Sequence, residues 1–197
     1  MYQYDFDDKL KHSKSLEVVR NAIRILKKHF LGCSVAEVGS KEKDILGADY
    51  IINAPNSKKL YVDEKTRERG CSIYWKENQP ELAPEIWSVM PGGKFNVPKN
   101  KSKVGWTLDD NKITDLILHT FHKQDTLKYY ILPFDLYKNV FKRNLKLWKS
   151  KYKVATQISN YNNIYWQSQC VFIPAIVIIN AIEEMRECQN EIPEFLK

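Results

Sequence analysis

Two carboxylates and a lysine in the first third of the chain have the types and spacing that metal-assisted phosphodiester hydrolysis uses. Asp49 stands in Gly47-Ala48-Asp49-Tyr50-Ile51-Ile52, and Asp63 and Lys65 stand in Leu60-Tyr61-Val62-Asp63-Glu64-Lys65-Thr66-Arg67. Strand side chains alternate between faces, so Asp63 and Lys65 point one way while Val62 and Glu64 point the other. If the two segments pair as a hairpin, Asp49 at the head of the first strand approaches Asp63 near the sheet edge. Carboxylate oxygens of this kind hold Mg²⁺, which keeps several waters and bridges a phosphate. Such an ion polarises the phosphoryl oxygen and lowers the pKa of a bound water. The lysine orients that water or offsets the charge that develops at phosphorus. One ion spans only a short gap, so the chemistry requires the two acids within about 10 Å of each other.

The acid-x-lysine spacing is not selective by itself, because Asp7/Lys9 and Asp110/Lys112 repeat it. The first of these lies in a polar terminus and the second in a turn. Only Asp63/Lys65 lies in an alternating strand with an aspartate opening the strand before it. The competing reading makes Asp49 a turn cap and Asp63, Glu64, Lys65 and Arg67 an exposed charged strand face.

The elements around these residues read as α/β. Leu16, Val19, Ile23, Leu26 and Phe30 recur at helical spacing and predict a helix over 15–30. Short β signals follow at 33–38, 49–52 and 59–67, separated by turn residues. The segment from about 77 to 103 holds four of the eight prolines and two of the seven glycines with little periodicity, and reads as a long irregular loop. Apolar runs at 113–121 and 127–132 around His122-Lys123-Gln124-Asp125 predict a hairpin. A helix from Pro133 to about Ser150, a polar hairpin around 160–163 and a final helix from about Pro174 to Arg186 complete the order. The expected architecture is one domain over 1–197, a central mixed β-sheet flanked by helices.

Charge is distributed unevenly. The 197 residues carry 31 Lys+Arg against 24 Asp+Glu, a net charge of +7. From Leu136 to Ile182 there is no acid, while Lys138, Lys142, Arg143, Lys146, Lys149, Lys151 and Lys153 are all basic; without that stretch the two signs balance. A concentrated positive surface points to a polyanion. Composition excludes wholesale disorder and coiled-coil classes. No apolar run approaches the roughly 20 residues of a membrane span. The opening residues lack a signal-peptide pattern, so the expected location is cytoplasmic. The cysteines at 33, 71, 170 and 188 form no CxxC pair and read as reduced thiols. His119 and His122 read as surface residues near a turn rather than as metal ligands.

With order and motif together, the chain resembles the PD-(D/E)xK nuclease superfamily, the restriction-endonuclease-like and resolvase-like enzymes. The resemblance spans roughly residues 15–150 as an order of elements and three residues as a motif. It implies Asp49 as the first motif acid, Asp63 as the second and Lys65 as the lysine, with Ala48 where many members have proline. It also implies the Glu64 backbone carbonyl in the metal shell and an additional acid from an early strand or helix, Glu37 in preference to Glu17. The implied activity is Mg²⁺-dependent hydrolysis of DNA, double-stranded or branched, with Mn²⁺ as a substitute. Symmetric cutting of both strands would call for a homodimer. Arg67, Arg69, Lys138, Lys142, Lys146, Lys149, Lys151 and Lys153 would contact the phosphate backbone. The same scaffold also serves members that bind nucleic acid or protein without cutting, so a catalytically inactive binding or inhibitor-type module is the alternative.

Overall fold

The computed structural model describes residues 3–5, 16–67, 75–76, 79–123, 126–161 and 163–190. Twelve strands and four α-helices alternate along them. They run β1 (Gln3–Asp5), α1 (Leu16–His29), β2 (Ser34–Glu37), α2 (Lys41–Ile45), β3 (Tyr50–Asn53), β4 (Lys59–Arg67), β5 (Trp75–Lys76) and β6 (Gln79–Leu82). Then come β7 (Glu85–Val89), β8 (Lys103–Val104), β9 (Leu116–Lys123), β10 (Thr126–Pro133), α3 (Phe134–Lys151), β11 (Lys153–Tyr161), β12 (Ile164–Pro174) and α4 (Ala175–Asn190). The chain is therefore a mixed α/β protein.

The strands form two sheets. The first has the order β10-β9-β4-β3-β2 and is mixed, because β4 and β9 run parallel while every other neighbouring pair is antiparallel. Two-residue alternation gives this sheet two apolar faces. On one face Tyr50, Ile52, Val62 and Leu118 meet Ala22, Ile25 and Leu26 of α1. Fully buried on α1 are Val18, Ala22, Ile25 and Leu26, while Val19, Ile23 and Phe30 of the expected stripe pack against the same cluster partly buried. On the other face Ile117 and Phe121 meet Phe134, Tyr137, Val140, Phe141 and Trp148 of α3. Burying each such large side chain contributes about 1.5–3 kcal/mol.

Of the second sheet, only the hairpin around 160–163, formed by β11 and β12, was expected. The sheet has the order β1-β11-β12-β6-β5, with β7 also paired to β12 and β8 paired to β7. Three of its strands, β6, β7 and β8, lie within the 77–103 segment that reads as irregular, together with short 3₁₀ turns at Gly93–Phe95 and Lys99–Lys101. Pro80 and Pro84 interrupt alternation there. Moreover β7 pairs with Gln169 and Cys170, a partner too distant in sequence to leave a local signature. Leu82, Ile86, Val171 and Ile173 of this sheet share one apolar cluster with α3, α4 and the first sheet, so both sheets belong to one body. No helix among the described residues is long and apolar enough to cross a membrane.

Candidate active site

Asp49 is placed by its backbone before its side chain is considered. Its N–H donates to the Val62 carbonyl at 2.9 Å, and its carbonyl accepts from Val38 N–H at 2.8 Å, which extends β3 by one residue toward both neighbours. The turn before it is clamped from the loop at 105–115. Thr114 Oγ1 donates to the Gly47 carbonyl at 2.6 Å, Ile113 N–H donates to Leu46, and Lys112 Nζ donates to Ile45. Gly47 has φ +83°, and a Cβ there would lie 2.6 Å from Thr114 Oγ1, so glycine is required on both counts. Its hydrogen position also lies close to the Asp63 carboxylate, 3.7 Å from where the Cβ would be.

The strand β4 continues past the start of β3, and the motif residues occupy that overhang. Asp49 Oδ2 accepts from the Glu64 backbone N–H at 2.7 Å, and the Asp49 carboxyl lies within hydrogen-bonding reach of Asp63. Asp63, only 4% exposed, is bound through Oδ1 by Lys65 Nζ at 2.6 Å. The acids are thus well inside the 10 Å limit, and Asp49, Asp63 and Lys65 line a single cleft of about 210 Å³. Burial, with the Asp63 charge adding to it, pushes the Asp49 carboxyl up to about 7. Burial pulls the Lys65 pKa down, but Asp63 and Asp49 outweigh it and hold the group above its ordinary value, so it is an ammonium.

Lys65 is positioned from its far side as well. Its Nζ lies over the Trp106 ring, 5.0 Å from the centroid. Trp106 is held in turn: its backbone N–H donates to Glu85 Oε2 at 3.1 Å, and Gly105 N–H donates to the Ile86 carbonyl at 2.9 Å. A Cβ on Gly105 would collide with the Glu85 backbone. Burial raises the Glu85 pKa, against its bonds from Ser88 and Trp106 and the charges of Lys65 and Arg67. Beneath Trp106 sit Tyr137, stacked at 6.1 Å, and His119 at 6.4 Å. His119 is the register partner of Lys65 and is 1% exposed, which corrects its reading as a surface residue. Its Nε2 and the Tyr137 hydroxyl are buried with no hydrogen-bond partner. Burial, then the charges of Arg67 and Lys65, hold its pKa well below the ordinary value, so this imidazole is neutral.

The remaining expected residues divide. The Glu64 carboxylate lies on the α1 face, where Tyr50 OH (2.8 Å), Thr66 Oγ1 (2.9 Å) and Thr120 Oγ1 (3.1 Å) all donate to it. Glu37 lines the cleft from β2, but it is the register partner of Tyr50 and so shares that face rather than the face of Asp63. Glu17 is exposed on α1, and the α1 side chain in the cleft wall is Val19. Arg67 is half-buried on the His119 face, and Arg69 lies outside the described residues. On α3, Asp110 reaches the basic stripe: it pairs with Lys142 at 2.8 Å and with Lys138 at 3.5 Å, and Lys138 also lies 3.7 Å from Asp135. Lys146, Lys149, Lys151 and Lys153 are exposed.

Trp106, Glu85 and the clamp from Lys112 and Thr114 were missed from the sequence. They lie in or next to stretches without periodicity, and no local pattern ties them to β4. The position of His119 had a usable signal, since it alternates with the core residues Ile117 and Phe121. Among the described residues no three His, Cys, Asp or Glu side chains gather closely enough to hold an ion by themselves. The chain matches no family model, no curated protein and no solved structure.

Proposed function

We propose that this chain is a Mg²⁺-dependent endonuclease that hydrolyses DNA phosphodiester bonds in the manner of the PD-(D/E)xK superfamily. The observation that carries the reading is the contact between Asp49 Oδ2 and the backbone of Glu64 at 2.7 Å. That contact sets the half-buried Asp49 carboxyl beside the buried Asp63 carboxylate, with Lys65 bound to the latter. The first sheet supports it: after α1, the antiparallel strands β2, β3 and β4 carry the motif at the head of β3 and on β4, and β9 lies parallel to β4. Along the chain α2 is inserted between β2 and β3, and β5–β8 between β4 and β9.

The donor set fits a hard divalent cation. Two carboxyl groups face one ammonium: Asp63 is paired with Lys65, and half-buried Asp49 has its pKa pushed up to about 7, so an ion that replaced the Asp49 proton would gain two oxygen donors of the kind that suits Mg²⁺ or Mn²⁺. Asp49 and Asp63 would hold the ion, with the Glu64 carbonyl as a further ligand and waters and a phosphate oxygen completing the shell. When bound, the ion supplies a polarised phosphoryl group and an acidified water. Lys65, an ammonium steered by Asp63 and Trp106, donates to the attacking water or to the phosphoryl oxygens. Trp106, His119 and Tyr137 exclude bulk water behind it. The exposed lysines of α3 and β11 supply sequence-independent attraction to the phosphate backbone.

The test is nicking of supercoiled plasmid by purified protein with Mg²⁺ or Mn²⁺. EDTA should stop it, and Asp63→Ala should abolish it while leaving DNA affinity within about twofold. Undiminished nicking by Asp63→Ala would overturn the mechanism. Salt-sensitive DNA binding without nicking under any metal would assign the chain to the non-catalytic members of the scaffold instead.

A further inference from the structure

The far end of the second sheet carries a feature that the proposed chemistry does not use. Past the turn at Asn163, Ile164 is 68% exposed and Tyr165 41% exposed at the tip of the β11–β12 hairpin. Phe95, from the turn at Gly93–Phe95, stacks against Tyr165 with ring centroids 5.9 Å apart and planes inclined by 26°. The loop that presents Phe95 is fixed. Lys94 N–H donates to the side-chain oxygen of Gln167 at 2.7 Å, and Met90 N–H donates to the Gln167 carbonyl at 2.7 Å. Gly92 and Val97 close a two-bond bridge, and Gly93 has φ +65° with no room for a Cβ against the Gln167 amide. Gln167 itself is buried. An aromatic pair built on so fixed a support and left half in water is more than a loop's incidental composition.

The surroundings say what would cover it. From Ile86 to Leu108 there is no acidic residue, while Lys94, Lys99, Lys101 and Lys103 are all exposed. Positive charge beside exposed rings is complementary to a strand whose phosphates and unstacked bases are both accessible, and a paired duplex hides the ring faces of its bases. We propose that Phe95 and Tyr165 form a stacking platform for unpaired bases of a DNA strand, with these lysines contacting its phosphates. Ring stacking reads no base edge, so the stacking itself is indifferent to sequence.

This deepens the nuclease reading, on which its choice of DNA rests, by making the substrate one with an unpaired segment. The strand β7 links the two places: Glu85 at its start holds Trp106 beside Lys65, and Met90 just past its end is bonded to Gln167 under the platform. Five residues of strand span about 17 Å, the length of roughly five stacked nucleotides.

Binding is measured by fluorescence anisotropy in EDTA, so that its outcome does not depend on cleavage. The probes are a fluorescein-labelled oligothymidylate of about 20 nucleotides and a duplex of the same length. Tyr165→Ala should weaken oligothymidylate binding about tenfold, while Tyr165→Phe keeps it and duplex affinity changes less than about twofold. Paired Lys99→Glu and Lys101→Glu changes should weaken oligothymidylate binding further and reduce its salt dependence. Unchanged oligothymidylate affinity in Tyr165→Ala, or an equal loss on the duplex, overturns the platform. Loss of the platform with plasmid nicking intact would leave the nuclease reading standing. Loss of nicking with the Tyr165 effect intact would leave the platform standing.

Discussion

The two faces of β4 handle charge in opposite ways. Toward α1, Glu64 is surrounded by donors: three hydroxyls, from Tyr50, Thr66 and Thr120, each bond its carboxylate. Burial raises its pKa against those bonds, and it has little capacity left for a further partner. Toward α3, Asp49 and Asp63 crowd one ammonium, and Nε2 of His119 and the hydroxyl of Tyr137 are buried without partners. Adjacent residues of a single strand thus make a satisfied polar cluster and an unsatisfied one. Satisfied clusters hold structure together, whereas a carboxyl whose pKa is pushed up to about 7 beside a second carboxylate in a cleft marks a candidate functional site.

Substituting the acids separates the two roles most sharply. Asp49→Asn keeps an acceptor for the Glu64 N–H and removes the repulsion with Asp63. It should lower the nicking rate by about 100-fold or more with no loss of thermal stability. Glu64→Ala strands the Tyr50 hydroxyl and leaves Thr66 and Thr120 only each other, at 2.7 Å, at a cost of about 2–3 kcal/mol. That predicts a fall in Tm of about 5–10 °C for a chain of this size. Equal losses of stability from both changes would erase the contrast.

A smaller effect is expected at Trp106. Trp106→Ala removes the ring over Lys65 and should reduce the nicking rate about tenfold with DNA affinity unchanged, whereas Trp106→Phe retains most of the rate. If the rate loss tracks the loss of folded protein in both variants, Trp106 only fills the core.

The least effect belongs to His119. Its folded pKa lies below the unfolded value near 6.5, so the unfolded chain binds the proton more readily and the His119 contribution to stability falls as pH drops below 6.5. His119→Phe removes that dependence, and the Tm difference between wild type and variant should shift toward the variant on acidification. The limit is about 1.4 kcal/mol per pH unit. A difference that stays constant from pH 7.5 to 5.5 would show that His119 is not titrating in this range.

Much of the first sheet was legible from local pattern. Alternation over 59–67 was enough to put Asp63 and Lys65 on one face and Glu64 on the other, and the hairpin read at 113–121 and 127–132 from its β-branched residues and short turn is formed by β9 and β10. Of the second sheet only the β11–β12 hairpin was legible. The sheet's short strands at 79–89 find their partner roughly 80 to 90 residues on in β12, and Pro80 and Pro84 hide what alternation they have.

The same division holds at the site. Residue types and a period of two determined which side chains could do phosphodiester chemistry and which of them share a face. They also determined that the chain carries acid-free basic segments, and that Lys138 and Lys142 lie on one helical stripe. Only the tertiary structure decided that Asp49 meets β4 at Glu64, that Glu85 and Trp106 close in behind Lys65, that Asp110 pairs with the first lysines of that stripe, and that Phe95 stacks on Tyr165. Faces and stripes follow from backbone geometry a few residues long, whereas these contacts join segments tens of residues apart. They depend on which apolar surfaces pack together, and no local pattern records that choice.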